Sequence, residues 1–386
     1  MKRNLYVMYA IALLQGMVFY GPIATLYREA AGVSIFQITL IEGISLALGI
    51  ALEVPWGIVA DRMGHRRTMI VCCGLYLVSK VVFWQASGFG GFLLERVLLS
   101  VVVAGFSGVD ASIIYLSCKK GESQRAFGIY SACGMAGLMF AAAVFTLAIG
   151  DDYRLAGLLT VVSYALAAAL AFLLVEVDRR EEPPERSQPI LGMLRGALGS
   201  WHLLLFLVGV ALLTETHQTI TVFLNQLQFA RTGMDGSVMG LAYMVATVLG
   251  LCGVFSHALT RRLGERASMV MFGLVPAVSC VVLAASSLPL ISVAGIWTIR
   301  LSNALFQPLQ MEMQNRMVEG SARATALSVN AMVMDCLAIA LNLVFGALAE
   351  SGVGLALAFG GVVCVLGVAL LLLWSRFAPS AVAPLE

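Results

Sequence analysis

Apolar runs of about twenty residues recur along almost the whole chain, separated by short breaks that hold its charges, glycines and prolines. They fall near 5–27, 36–60, 67–87, 91–117, 124–148, 154–175, 198–229, 235–259, 267–286, 288–317, 322–349 and 353–376. Each run is long enough to cross a bilayer as a helix, and no soluble core of this length could enclose twelve of them. Composition agrees: 60% of the 386 residues are hydrophobic and 12% charged, against roughly 25% charged in soluble domains, and the mean hydropathy is +0.91. The runs are continuous, without the alternation of a membrane barrel, so the backbone must be satisfied within helices. The expected fold class is all-α integral membrane, with twelve transmembrane helices in two pseudo-symmetric six-helix bundles.

The cations fix a topology. With the N-terminus inside, eighteen Lys and Arg fall in cytoplasmic segments, and only Arg28, Arg154 and Arg231 in outer loops. Lys80, Arg96 and Arg300 remain inside spans. Such a bias places both termini in the cytoplasm. Lys2 and Arg3 before the first run suggest a secretory signal, but the run is too long and too many others follow, so it reads as an uncleaved first span. Residues 176–185 and Arg186 form the longest hydrophilic stretch, with paired Pro183 and Pro184. It reads as a solvated linker at 176–197 between bundles at 1–175 and 198–386. The eight cysteines are scattered through apolar segments without metal-ligand spacing, which predicts no metal site and no disulfide. A net charge of +2 predicts no nucleic-acid partner.

Between the second and third runs lies Gly57-Ile58-Val59-Ala60-Asp61-Arg62-Met63-Gly64-His65-Arg66-Arg67. Two hundred residues on, Arg262-Leu263-Gly264-Glu265-Arg266 repeats its Arg-x-Gly-x-Arg core. Gly57 permits close helix approach, and Asp61, ending span two, is placed to accept hydrogen bonds from a neighbouring helix N-terminus. In the second half His257 replaces Gly57 and Arg261 replaces Asp61, so any latch is one-sided.

Two six-helix halves, a charged central loop and the stretch Glu53-Val54-Pro55-Trp56-Gly57 through Asp61-Arg62 resemble the major facilitator superfamily. The form is similar to that of its bacterial drug-efflux-like subgroup. Ser107-Gly108 with Tyr115, and Asn315-Arg316 followed by Arg323 to Ser328, are similar to further stretches of that group. At Ala111 and Leu116, where such relatives often carry carboxylates, this chain is apolar. The resemblance implies a cytoplasmic gate in which Gly57 and Asp61 meet span eleven in the outward-open state, with Arg62, Arg66 and Arg125 as partners.

Ionisable residues inside spans cost ~2.5–3.5 kcal/mol each at mid-bilayer, so they face a cavity or each other. The acidic set is Glu42, Glu53, Glu95, Asp110, Glu215, Glu312 and Asp335; the basic set is Lys80, Arg96 and Arg300. At 100° per residue Glu42, Ser45, Gly49 and Glu53 share a stripe of span two, and Arg96, Ser100, Ser107 and Asp110 one of span four. Span seven aligns Thr214, Gln218, Thr221, Asn225 and Gln228, flanked by Glu215 and His217. Span ten aligns Arg300, Asn303, Gln307, Gln310 and Gln314, and span eleven Ser328, Asp335 and Asn342. Serines and outlying glutamines read as interhelical hydrogen bonds. A substrate and proton site is expected around Glu215, Arg300 and Asp335, near mid-membrane, with Gln218, Asn225, Asn303, Gln307, Glu42, Glu53 and Asp110 contributing. Glu95 and Arg96 rank lower, as local or edge pairs.

The reading is a secondary active transporter working by alternating access and coupled to protons. The acidic surplus and the subgroup resemblance put export of a hydrophobic or cationic drug or metabolite first. Uptake of a small, possibly anionic, nutrient is the alternative, with Arg300 pairing the anion. A membrane enzyme finds no nucleophile with a nearby base, and a transport-fold sensor stays open. No cofactor is called for. Expected partners are the small-molecule substrate, protons and the lipid bilayer of a bacterial cytoplasmic membrane, and a monomer suffices.

Overall fold

In the computed structural model residues 2–106, 109–118, 123–150, 152–177, 199–317 and 323–377 are described; within them the side chains at 2, 53–54, 57–62, 123–124, 323–326 and 328 are not. Helices account for all the regular structure among the described residues. Twelve are long and apolar enough to cross a membrane: Arg3–Ala30, Ile35–Leu52, His65–Gln85, Gly88–Ser117, Arg125–Ile149, Tyr153–Ala171, Trp201–Arg231, Gly236–Leu263, Glu265–Ala285, Pro289–Arg316, Val329–Ser351 and Val353–Phe377. They are spans one to twelve below. The helix of span two continues to Met63.

The chain divides into two compact units. The first holds Met1–Glu181 with Asp235–Met244, and the second Glu182–Met234 with Val245–Glu386. The first packs around Met8, Ile11, Met69, Cys73 and Ile114, the second around Phe206, Leu213, Phe272, Met313 and Trp374. Outward-facing Val254, Val278 and Leu290 are exposed apolar residues, the surface that lipid solvates.

The internal repeat is visible in the backbone. Gly64 (φ 86°, ψ 153°) precedes the 21-residue helix His65–Gln85, and Gly264 (φ 82°, ψ 154°) precedes the 21-residue helix Glu265–Ala285. Thr68 and Ser268 each donate their amide at 3.1 Å to the carbonyl of the preceding glycine, Gly64 and Gly264. A side chain at positive φ is strained, so the Gly of Arg-x-Gly-x-Arg is what lets each helix restart after a sharp turn.

Several spans are interrupted, and neighbours satisfy the freed backbone groups, as a membrane interior demands. Span one stops at Gly16 and resumes through a short 3-10 turn, Gly21–Ile23, into Ala24–Ala30. Span six covers the break. Ser163 and Tyr164 donate their hydroxyls to the carbonyls of Leu14 (2.5 Å) and Gln15 (2.6 Å), and Thr160 accepts the Phe19 amide at 3.0 Å. Thr160, Ser163 and Tyr164 are spaced i, i+3, i+4 and so occupy one helix face. On the other side span one lies on span five with backbones nearly touching: a Cβ at Gly137 would come within 2.0 Å of the Leu13 carbonyl oxygen. In the second unit Pro308 has no amide for the Ala304 carbonyl. Span eight runs there as a 3-10 segment, Gly250–Phe255. A Cβ on Gly253 would lie 2.9 Å from the Ala304 oxygen, and Ser256 donates to the Leu305 carbonyl at 2.6 Å. Span seven contains a π turn at Ile220–Leu224 and span five another at Phe145–Ile149.

Candidate functional site

The polar residues inside the spans form two networks, one in each unit. The first surrounds the break in span one. Lys80 of span three donates to the Tyr20 hydroxyl at 3.0 Å, and its ammonium lies 5.7, 5.1 and 5.5 Å from the ring centres of Tyr20, Tyr76 and Tyr164. Such faces stabilise a desolvated cation by ~2 kcal/mol. The Glu95 carboxylate is 3.6 Å from Lys80 and 4.0 Å from Arg28. Its neighbour Arg96 forms an ion pair and hydrogen bond with Glu42 of span two. Below this pair Ser45 and Ser100 hydrogen-bond at 2.7 Å.

In this network Glu95 and Arg96 form the local pairs expected of them, and the placing of Arg28 is corrected. Arg28 was assigned to an outer loop, but it lies in the helix Ala24–Ala30 and is buried. Glu95 is wholly enclosed between two cations. The sequence carried a signal for this: Lys80, Glu95 and Arg28 all lie within one or two turns of the same ends of spans one, three and four. Counting Arg28 as a topology charge hid it. Pairing also reduces the acidic surplus, because Glu42 and Glu95 face cations.

The second network centres on Glu215, near the middle of the helix Trp201–Thr219 and its π continuation. Asn342 of span eleven donates its amide to Glu215 Oε1 at 2.6 Å. The Thr219 hydroxyl is 3.0 Å from Asn342 Oδ1 and 3.3 Å from Glu215 Oε1. Its one proton can go to either acceptor. Thr219 and Asn342 are buried, whereas Glu215 is partly exposed. Asp335, partly exposed, stands seven residues before Asn342 and so on the same helix face. Arg300 stands inside the helix Pro289–Arg316, partly exposed, and Gly250 gives its guanidinium room: a Cβ there would lie 3.2 Å from an Arg300 Nη. Among the described residues Arg300 forms no ion pair.

The other expected site residues divide. Asn303 is partly exposed, beside the enclosed His217, and Gln218 and Gln307 are exposed. Asn225 is buried, its side-chain oxygen accepting the Gln226 amide at 2.8 Å, which turns it from a cavity wall into a local brace. Gln228 binds the Leu283 and Ser286 carbonyls and the Ser292 hydroxyl at 2.9–3.4 Å, as interhelical cement. Asp110 accepts the Ala111 amide at 2.6 Å and the Tyr130 hydroxyl at 3.3 Å. Glu312 pairs with Arg316 at the end of span ten, and Arg316 also pairs with Glu265.

Glu53 of the expected site and Gly57, Asp61 and Arg62 of the gate lie outside the residues whose side chains are described. Arg125 is exposed at the start of span five. Arg66 is engaged within its own unit, donating to the Leu174 carbonyl at 2.6 Å and the Phe172 carbonyl at 3.3 Å, while its amide donates to Glu176 at 3.2 Å. These carbonyls follow directly on the C-terminus of span six, where a guanidinium has the favourable sign for the helix dipole.

The family model described as Major Facilitator Superfamily matches residues 5–302. A search of curated proteins by sequence gives no match. Among solved structures, a mutant of the nucleoside transporter NupG is 15% identical, with 97% of this chain and 100% of that chain covered and a TM-score of 0.79. A bacterial homologue of the human lysosomal transporter Spinster is 17% identical over 97% and 96%, with a TM-score of 0.72. A D-xylose–proton symporter is 12% identical over 98% of both chains, also at 0.72. At such identities the likeness is one of fold.

Proposed function

This chain belongs to the Major Facilitator Superfamily and is a transporter, and from that premise we propose proton-coupled transport of a small anionic solute by alternating access, with uptake as the direction. Arg300 carries this reading. It stands inside a 28-residue membrane helix without an ion pair among the described residues, where an uncompensated guanidinium costs ~2.5–3.5 kcal/mol on insertion scales. A carboxylate or phosphate group arriving with the solute supplies the missing charge-assisted hydrogen bonds. Glu215 is the proposed proton carrier. Two of its partners, Asn342 and Thr219, are neutral donors that hold the carboxyl in place near the middle of span seven.

Export of a hydrophobic or cationic compound, first on sequence grounds, becomes the second reading. It keeps the support of Glu215 and Asp335, two intramembrane carboxylates in the same unit as Arg300. Proteoliposomes with an imposed proton gradient separate the two. Gradient-driven accumulation of a monocarboxylate or phosphate monoester, lost in Arg300→Gln, supports the anion reading. Gradient-driven movement of an organic cation, retained in Arg300→Gln and lost in Asp335→Asn, replaces it with export.

The protein is proposed to lie in a bacterial cytoplasmic membrane with both termini inside, as a monomer. Asp61 stays the proposed gate on the cytoplasmic side, while Arg66 serves to hold the end of span six. Asp61→Asn is expected to slow transport and spare ligand binding in detergent; equal loss of both would remove the gate assignment.

A further inference from the structure

Within the second unit, spans eight and ten meet along a narrow seam near the end that carries the Gly264 turn. Gly253 brings the two backbones together, and Ser256 donates to the Leu305 carbonyl at 2.6 Å. On either side of that seam a groove opens along the helix Ser256–Leu263. At 100° per residue the two linings fall on different faces of that helix. One groove holds His257, Arg261, Glu265 and Glu312, charges of both signs. The other, of about 370 Å³, is walled by Phe255, Ala258, Leu259, Leu301 and Leu305, and among the described residues Arg262 is its one charged member.

Depth decides what suits the apolar groove. Arg262 stands in the last turn of span eight, which runs Gly236–Leu263, so its guanidinium is at the membrane surface. Phe255, seven residues back, lies roughly 10 Å deeper along the axis at 1.5 Å per residue. Val254 and Phe255 are 80% and 63% exposed, so the groove runs into open apolar surface. Water finds no partners in such a place, whereas an acyl chain does. The acids at this end, Glu265 and Glu312, both pair with Arg316, and Arg262 forms no ion pair among the described residues. Exposed Arg261 and Arg266 on either side of it add to the positive charge at the groove's mouth.

We propose that this groove binds one anionic phospholipid, with an acyl chain along Phe255, Leu259, Leu301 and Leu305 and the headgroup phosphate on Arg262. A guanidinium meets a phosphate with a fork of two charge-assisted hydrogen bonds, and basic residues at a membrane face favour anionic over neutral lipids. The chain rests against the 3-10 segment Gly250–Phe255, whose Gly250 gives Arg300 its room, so an occupied groove braces that segment. The inference needs only that span eight crosses a membrane; it is independent of the solute and of the direction of transport.

The test follows the thermal midpoint of the purified full chain in detergent while phosphatidylglycerol, or phosphatidylcholine with the same acyl chains, is titrated in. Binding to the folded state raises the midpoint, and phosphatidylglycerol, which alone carries net negative charge, is expected to act at the lower mole fraction. Arg262→Gln weakens its apparent affinity about fivefold, the effect of one cation at a membrane surface, and brings the two lipids together. Ala258→Phe fills the groove from the exposed side of the helix and weakens both lipids. Arg376→Gln, which removes an exposed cation at the end of span twelve, keeps the full preference. Equal responses to the two lipids in the natural chain would overturn the proposal, as would a preference that survives Arg262→Gln or an affinity untouched by Ala258→Phe. So would a loss in Arg376→Gln as large as that in Arg262→Gln, which would assign the effect to diffuse charge on the membrane face.

Discussion

The two units share a backbone repeat down to the dihedral angles of Gly64 and Gly264, yet they handle buried polarity differently. The first matches charge with charge: Glu95 between Lys80 and Arg28, and Glu42 on Arg96. The second matches a carboxyl with neutral donors, Asn342 and Thr219, and leaves a guanidinium without an ion pair among the described residues. The difference bears on where protons can move. A carboxylate between cations loses its proton site to them, because protonation strands their charges in a medium that penalises it heavily. A carboxyl held by an amide can change state without that penalty. On the proposed function the first unit keeps its charge constant, and the second is the one that changes it.

The largest effect expected of that contrast is on stability. Glu95→Gln leaves Lys80 and Arg28 facing no anion, and breaking such a buried pair is expected to cost ~3–5 kcal/mol. Glu215→Gln keeps an oxygen for the Asn342 amide and should stay within ~1 kcal/mol, while flattening the pH profile of transport. Unfolding of both variants in detergent measures the gap. Similar losses for the two would erase the distinction between the networks. Next in size is Arg300→Gln, which removes charged hydrogen bonds to the proposed anion worth ~1.5–3 kcal/mol, so solute affinity should fall roughly 10- to 100-fold. An unchanged affinity for every anionic solute would take the vacancy on Arg300 out of the comparison.

Why the second network was legible in the sequence and the first was not follows from the same contrast. Glu215 and Asn342 are isolated polar letters in apolar helices, one beside the stripe of span seven and the other on that of span eleven, whereas Thr219 lies off both stripes and carries no such signal. The repeat was legible too, since Arg-x-Gly-x-Arg needs its glycine at positive φ wherever it occurs. In the first unit the partners come from spans one, three and four, and pairing across helices has no period in the sequence. Arg28 lies near a span end, where a cation also satisfies the topology rule, so charge counting assigned it to a loop. Asn225 shows the opposite: its stripe is real, but its side-chain oxygen bonds its neighbour's amide, whereas Gln228, on the same stripe, makes the interhelical hydrogen bonds expected of an outlying glutamine and reaches span nine. A polar stripe tells which face needs partners, not whether solvent or protein provides them.

The shared turn offers a control of intermediate size. Ala at Gly64 or Gly264 must adopt positive φ, which costs ~1–2 kcal/mol. In Gly64→Ala the new Cβ would also meet the Glu176 carboxylate at 3.3 Å, a contact that the double variant Gly64→Ala/Glu176→Ala removes. Thermal midpoints of these two variants read the difference directly. Equal losses would mean that the contact with the end of span six adds nothing to the turn.

The smallest test is the most selective. Ser45→Ala and Thr219→Ala each remove one hydroxyl partner, at 2.7 Å from Ser100 and at 3.0 Å from Asn342, and each should cost only ~0.6 kcal/mol, the usual size of a hydrogen bond between membrane helices. Stability alone will not separate them. Ser45 touches no titrating group, so its loss should leave the pH profile of transport where it was. Thr219 and Asn342 orient the carboxyl of Glu215 between them, so Thr219→Ala should displace that profile while matching Ser45→Ala in stability. If instead both profiles stay fixed, Glu215 is held by Asn342 alone and Thr219 is cement. If Ser45→Ala displaces its profile as well, proton sensitivity reaches Arg96 through Ser100, whose hydroxyl donates to the Arg96 carbonyl at 2.9 Å, and the first unit is no longer the one that holds its charge constant.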